Sequence, residues 1–315
     1  MEYRFLGKTA ILVSRLCFGT LTMGPLQANL SVGEGARLIE QALDQGVNFI
    51  DTAELYGTYP HIRQAIRDRS KKPVVASKSY AYTREKMKLS LQRALDGLGL
   101  PVIDIFLLHE QESHLTLDGH REALDYLLEA KQDGLVRAVG FSCHTVAALH
   151  AALSMPEIDV VHPLVNMDGV GIRDGTVTEM LSVIASLSKN GVGIFAMKPL
   201  GGGHLIGKNM EALRFVQQQP HLDSVAAGMV SAEEIAFNCA IFSGQSVPVG
   251  LAETLRQTRR RLQVQQWCIG CGSCVAHCPQ AALQVRGGRA EAEEKDCVLC
   301  GYCGAHCPDF CLKIY

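Results

Sequence analysis

Short apolar runs and longer amphipathic stretches alternate along most of the chain. The runs Leu16–Thr20, Asn48–Thr52, Val74–Lys78, Ile103–His109, Val136–Ser142, Val160–Asn166, Val192–Met197 and Ser224–Met229 read as strands. Between them, Gly33–Gln45, Thr83–Leu98, His120–Gln132, Thr176–Lys189 and Ala232–Phe242 carry apolar residues at helical spacing, as in Ala123, Leu124, Leu127 and Leu128. Strands that are apolar along their whole length are buried on both faces, which requires a parallel sheet covered by helices. Eight strand units of this kind predict an α/β protein, a (β/α)8 TIM barrel of about 250 residues. An open doubly wound sheet is disfavoured, because no G-x-G-x-x-G follows the first run. Ahead of the barrel, Tyr3–Leu6 and Ala10–Val13 flank Gly7-Lys8-Thr9 and predict an N-terminal β-hairpin plugging its bottom.

The pattern changes at residue 250. Leu251–Gln266, with Arg256 and Arg259 to Arg261, reads as a polar connecting helix, leaving residues 267–315 as a small separate domain. The expected plan is therefore a barrel over 1–250, a linker over 251–266 and a C-terminal domain over 267–315.

Composition narrows the function. The 315 residues are 20% charged with a net charge of -2, which removes the electrostatic case for a nucleic-acid binder. No apolar run approaches the ~20 residues of a membrane span. Met1 to Lys8 lacks the apolar core of a signal peptide, so a cytoplasmic protein is expected. Of the 12 cysteines, only Cys17, Cys143 and Cys239 precede residue 267. Isolated cysteines are usually small core hydrophobes, whereas a dense group without a secretion signal points to metal rather than disulfides.

The tail repeats one spacing twice. Cys268-x-x-Cys271-x-x-Cys274-x-x-x-Cys278-Pro279 and Cys297-x-x-Cys300-x-x-Cys303-x-x-x-Cys307-Pro308 both follow the bacterial ferredoxin run. In that run three close thiolates hold one cubane while the fourth, before proline, reaches the other. Cys268, Cys271, Cys274 and Cys307 are thus expected to hold one [4Fe–4S] cluster, and Cys297, Cys300, Cys303 and Cys278 a second. Zinc also uses paired C-x-x-C elements, yet it has no use for the repeated third cysteine or the Cys-Pro. The tail resembles a two-cluster bacterial ferredoxin over its whole length, a ferredoxin-like iron–sulfur domain. Cys311 is surplus to both sets.

Chemistry in a barrel of this kind sits at the C-terminal ends of its strands. Those ends supply Asp51 and Tyr56, then Lys78, then His109. A phenol is a poor proton donor at neutral pH unless a cation stabilises its phenolate, which Lys78, held by Asp51, could do. His109 could orient a carbonyl oxygen or pass a proton. His114, His120, His162 and His204 suggest no role, and Asp168, Arg173 and Asp174 read as a solvated loop.

These segments carry a resemblance. Gly46-Val47-Asn48-Phe49-Ile50-Asp51-Thr52-Ala53-Glu54-Leu55-Tyr56-Gly57 strongly resembles the hallmark of the aldo-keto reductase family. Val74 to Lys78, Asp104 to His109, and the opening from Tyr3 to Thr20 are similar to its neighbouring segments, so the likeness covers about residues 1–245. It implies carbonyl–alcohol interconversion by hydride transfer with NAD(H) or NADP(H), Tyr56 as general acid, Lys78 and Asp51 tuning it, and His109 positioning substrate.

The resemblance also implies cofactor contacts at Gly19 and Thr20, at Ser142 and Asn166 for the nicotinamide carboxamide, and at Met197, Lys198, Leu200 and Gly201. Cys143 stands where the family has Asn, and Met197 where it often has an aromatic platform. Gly228, Ser231, Glu234 and Asn238 fall in the adenosine-binding stretch, where Gly228 and Glu234 replace the Lys and Arg of NADPH-preferring members. A carboxylate there would repel a 2′-phosphate, so weaker NADPH selectivity is expected. Gly202-x-x-x-x-Gly207-Lys208 imitates a phosphate-binding P-loop, but Asn209 denies it the magnesium-binding hydroxyl.

A hydride moves two electrons and each cluster one, a mismatch that flavins bridge. The barrel mouth near Lys198 and Gly201–Gly203 could hold the phosphate of FMN. The expected function is an oxidoreductase acting on a small carbonyl or alcohol, its clusters exchanging electrons with a ferredoxin-like or other partner. The alternative is an electron-transfer or redox-sensing iron–sulfur protein with little carbonyl reductase activity.

Overall fold

The structure, a computed structural model, describes residues 1–257, 260–297, 299 and 301–314. β1 (Tyr3–Phe5) and β2 (Leu12–Ser14) form an antiparallel hairpin, with Tyr3 opposite Ser14. Eight parallel strands then close a barrel. They are β3 (Leu16–Gly19), β4 (Phe49–Asp51), β5 (Val74–Ser79), β6 (Ile103–Gln111), β7 (Val136–Cys143), β8 (Val160–Pro163), β9 (Gly193–Met197) and β10 (Ser224–Gly228), and β10 pairs back onto β3. Every run expected as a strand contributes one, and the (β/α)8 barrel follows as the pattern implied.

The barrel interior is filled by Cys17, Phe49, Ala76, Ile105, Leu107, Ala138, Val160, Phe195 and Ala226, and Leu6, Ile11 and Val13 of the hairpin region plug its bottom. Phe49 and Phe195 meet at 5.0 Å between ring centroids, and full burial of such a ring contributes about 1.5–3 kcal/mol. Outward-facing strand residues pack under the helices. Helix Val32–Asp44 starts where Ser31 and Glu34 cap each other, and helix Val177–Lys189 where Thr176 and Glu179 do the same. Helices Tyr59–Ile66, Val146–Ala152 and Asn209–Gln217 were not expected, since each is too short to display a clear period.

The linker departs from expectation. Helix Leu251–Gln257 is followed by β11 (Leu262–Val264), which pairs antiparallel with β14 (Leu312–Ile314), so the predicted helix to Gln266 is not formed. Alternating Leu262-Gln263-Val264 suits a strand, and its partner lies at the far end of the domain. Between them, β12 (Leu283–Arg286) and β13 (Arg289–Ala292) form a hairpin across Gly287-Gly288.

The two cysteine motifs fold alike. Left-handed backbone recurs at equivalent positions: Gly270 and Leu299, Gly272 and Gly301, Ala281 and Phe310. The His277 and His306 rings stack at 3.7 Å between the halves. The repeat places Phe310, a bulky residue, in a conformation with φ of 50°.

Candidate active site and cluster sites

The strand ends bring the four expected residues together. Asp51 ends β4, and Lys78 lies near the end of β5. Lys78 Nζ donates to Asp51 Oδ1 at 2.5 Å and to the Thr52 carbonyl at 2.8 Å, with both side chains buried. The same ammonium lies 5.2 Å from the Tyr56 ring centroid, and the Tyr56 and His109 rings meet edge to face at 5.8 Å. The loop carrying Tyr56 is braced by hydroxyl contacts of Thr58 with Thr20 and with Thr52, each 2.8 Å. Glu54 adds bonds from Ser79, Ser90 and Arg93.

Burial dominates the electrostatics. It raises the Tyr56 hydroxyl well above its ordinary value of 10.0, so the phenol keeps its proton at neutral pH. It lowers His109 to about 3, making that ring a neutral imidazole whose Nδ1 has no hydrogen-bond partner among the described residues. Asp51 is raised by burial, an effect opposed by Lys78.

A second polar group adjoins the first and was not legible in the sequence. Pairing of β6 with β7 slips between Leu108 and Gln111, and Glu110 there adopts φ of 51°. Lys198, just after β9, has φ of 58°. Both side chains converge on His144: Lys198 Nζ donates to His144 Nε2 at 2.7 Å, and Glu110 Oε1 stands 3.7 Å from that nitrogen. Burial lowers Lys198 to about 8, partly offset by Glu110. Burial also opposes ionisation of Glu110, but His144, Lys198 and His109 together outweigh it and hold the carboxyl below its usual range. His162, given no role by the sequence, lies inside the barrel with Nδ1 2.5 Å from the Phe195 carbonyl and Nε2 3.7 Å from Asp51 Oδ1.

One groove runs from Asp51 and Tyr56 past β9 and β10 to Glu234 and Asn238. It holds about 1160 Å³ of unfilled space, its open side included. Of the expected cofactor positions, Gly19, Met197, Lys198, Leu200, Gly228, Glu234 and Asn238 line it. Five others do not, because local structure engages them. The Thr20 hydroxyl bonds the Asp51 carbonyl and Thr58. Ser142 Oγ accepts the Glu110 N–H, and both ends of the Asn166 amide bind Val170. Ser231 caps helix Ala232–Phe242, and Gly201 lies beneath the loop surface. Cys143 is a core residue with its thiol raised by burial, and it does not line the groove.

The groove also receives residues from outside the barrel: Leu255 and Arg260 of the linker, and Lys313 and Ile314 of β14. Arg260 stands 3.6 Å from Glu234 Oε1, while Glu234 Oε2 accepts the Val230 N–H. The carboxylate expected to repel a 2′-phosphate is therefore already faced by a cation.

The cysteines line two small cavities. Cys268, Cys271, Cys274 and Cys307 surround one with about 320 Å³ of unfilled space, its open side included, so the fourth thiol of the second motif does cross to the first. Cys278, Cys297 and Cys303 line the other, of about 350 Å³. Cys300 lies outside the described residues. Backbone N–H groups of Ala290, Ala282 and Cys311 point at the sulfurs of Cys268, Cys278 and Cys307 at 3.4, 3.3 and 3.1 Å. Thiols spread around a cavity, with amides aimed at sulfur, fit a cubane cluster in the first, and the three described cysteines of the second fit the same arrangement.

The cluster domain docks on the barrel mouth. Phe310 lies among His144, His204, Gly171 and Gly202, and His204 Nε2 donates to the Leu312 carbonyl at 2.9 Å. Gly203, with φ of 99°, lets the backbone of Ile314 approach so closely that a Cβ there would stand 1.9 Å from its carbonyl oxygen. Arg173, expected in a solvated loop, pairs with Glu112 and reaches Asp309 at 3.5 Å. Asp174 caps helix Val146–Ala152.

Residues 15–235 match the aldo/keto reductase family and residues 262–308 the 4Fe-4S dicluster domain. The chain is similar to L-galactose dehydrogenase of Arabidopsis thaliana, 24% identical over 65% of this chain and 67% of the relative. It is similar also to the uncharacterized oxidoreductase YrpG of Bacillus subtilis, 24% identical over 81% and 83%. Among solved structures, a putative aldo-keto reductase from Pseudomonas aeruginosa superposes with a TM-score of 0.66 at 25% identity, covering 77% of this chain and 94% of that one. An aldo-keto reductase from Bacillus halodurans shares the fold with a TM-score of 0.66 at 18% identity, covering 82% and 96%. The chain belongs to the aldo/keto reductase family and carries a C-terminal 4Fe-4S dicluster domain.

Proposed function

We propose that the protein interconverts a carbonyl and an alcohol with NAD(P)H, and that two [4Fe–4S] clusters exchange electrons between it and a redox partner. The observation that carries this reading is the unbroken groove from Tyr56 to Asn238, closed on one side by the cluster domain. A nicotinamide cofactor bound there supplies or accepts the hydride at the substrate carbon. Tyr56 delivers a proton to the carbonyl oxygen in the reducing direction. Lys78, fixed by Asp51, stabilises the phenolate left behind. His109, kept neutral by burial, directs the substrate oxygen towards Tyr56. A cytoplasmic setting suits an enzyme whose cysteines serve as thiolate ligands.

A second reading has one observation in its favour. Ser142 and Asn166, the expected nicotinamide clamp, are engaged elsewhere, whereas a charged loop meets the cluster domain at the mouth. That arrangement suits an FMN-containing electron-transfer or redox-sensing protein. Anaerobic purification with iron, labile-sulfide and extracted-cofactor analysis, followed by NAD(P)H assays against a carbonyl panel, separates the two. Carbonyl-dependent NAD(P)H oxidation supports the first; bound flavin with no carbonyl turnover supports the second.

A further inference from the structure

The groove contains an amine that the barrel does not provide, one that burial and the neighbouring Lys198 hold well below the usual lysine range, so that an anion beside it would favour its charged form. Lys313 projects from β14 of the cluster domain, is only 4% exposed, and lines the groove. Its Nζ lies 3.2 Å from the centroid of the Phe310 ring. Among the described residues no carboxylate, carbonyl or hydroxyl hydrogen-bonds it. Its aliphatic stem crosses Gly202, where an added Cβ would lie 3.2 Å from Lys313 Cδ. The neighbouring cation, Lys198, is already committed to His144 at 2.7 Å.

A desolvated ammonium that lacks an acceptor is costly, and the cost is recovered when an anion enters. Glu110 and the thiols of Cys307 and Cys311 favour the charged form of Lys313 at longer range, without hydrogen-bonding it. The remaining place for an anion in contact with it is the groove that it lines. The ring of Phe310 satisfies only the weak cation–π part of its needs. The adjacent Gly202 and Gly203 admit the close approach of Phe310, Lys313 and Ile314, and so bring Lys313 to the groove wall.

We infer that Lys313 is a phosphate-binding residue of the cofactor groove, so that the cofactor is held jointly by the barrel and the cluster domain. The inference rests on the reading of this groove as a cofactor site and extends it: a residue of the electron-transfer domain takes part in cofactor affinity. Binding in the groove and docking of the cluster domain then stabilise each other, because an occupant that pairs with Lys313 binds the docked arrangement better than any other.

Equilibrium binding of NADH, NADPH and FMN to anaerobically prepared, cluster-loaded protein tests this. Wild type is compared with Lys313→Met, which keeps the stem over Phe310, with Lys313→Gln as a second neutral variant, and with Lys313→Arg. Iron and sulfide content verifies that each is intact. The expected result is about 10- to 100-fold weaker dinucleotide binding in both neutral variants and near-wild-type binding in Lys313→Arg. The same loss seen for FMN, with no dinucleotide binding by wild type, keeps Lys313 as a phosphate ligand and overturns the nicotinamide reading. Unchanged affinities in the neutral variants overturn the inference alone. Failure of wild type to bind any of the three overturns both.

Discussion

Lys198 Nζ of the barrel lies 4.6 Å from the ring centroid of Phe310, a residue of the cluster domain. Lys198 also lines the groove, so one side chain touches both halves of the molecule. The left-handed turn after Cys307 aims Phe310 at the mouth, and the equivalent turn after Cys278 carries only Ala281. Two otherwise similar half-domains are thereby made unequal: the second approaches the barrel, with Gly301 and Gly304 against His204 and Phe310 against Gly171 and Gly202. The cavity lined by Cys278, Cys297 and Cys303 shares Ile314 with the groove and is accordingly the one expected to exchange electrons with it, while the other, with Cys271 exposed, is expected to face the redox partner.

Phe310→Ala should loosen the docked domain. Removing a buried aromatic ring costs about 3–5 kcal/mol in a packed core. Alanine keeps the Cβ responsible for the left-handed backbone strain, as Ala281 shows at the same φ of 50°, so no relief offsets this loss. Hydrogen exchange across β14 and the barrel loop around Gly203 should accelerate, with the hairpin end of the barrel unaffected. Gly203→Ala should have the same signature, because its methyl group would displace Ile314. Unaltered protection in both variants would show that the interface is not held by this contact.

The interface should also sense acid. Burial lowers His204 to about 4, from an ordinary 6.5. Below 6.5 the unfolded chain takes up a proton that the folded chain refuses, so this contribution is full above 6.5 and is lost as pH falls towards 4. The limiting slope for one such group is about 1.4 kcal/mol per pH unit. Anaerobic urea unfolding at pH 7 and pH 5 measures it, and His204→Gln, which can still donate to the Leu312 carbonyl, should show a shallower decline. Equal declines would remove His204 from the account.

Much of this arrangement was legible beforehand, and the reason differs by feature. Strands buried on both faces announce themselves by composition, and Asp51, Lys78 and His109 could be placed because they fall at strand ends. Cysteine spacing likewise encodes cluster geometry locally. Lys313, Arg260 and Phe310 carry no such signal, since their positions depend on how two domains meet. Ser142 and Asn166 show a related limit: the resemblance gives the residue type, while their bonds to Glu110 and Val170 come from the fold. His162 looked like an ordinary core histidine and instead stands beside Asp51.

Cofactor preference follows from Arg260. With that guanidinium opposite Glu234, NADH and NADPH should bind within about tenfold of each other. Arg260→Ala leaves the carboxylate unopposed and should lower NADPH affinity more than NADH affinity. Isothermal titration with both dinucleotides decides it, and an undiminished preference for NADPH in the variant would refute the pairing.

The two chemistries should be separable through Cys271, the exposed ligand of the Cys307 set. Cys271→Ala should abolish electron exchange with a ferredoxin or dye while NAD(P)H-driven carbonyl turnover persists. Loss of both activities with the barrel still folded would mean that hydride transfer depends on the cluster.

The most direct test of the central claim is the rate of carbonyl reduction by Tyr56→Phe with its clusters intact. Steady-state kinetics should show kcat/KM falling about 10²- to 10⁴-fold, with iron, sulfide and the visible spectrum as in wild type. Unchanged turnover in that variant would contradict the assignment of a working aldo/keto reductase site to this barrel.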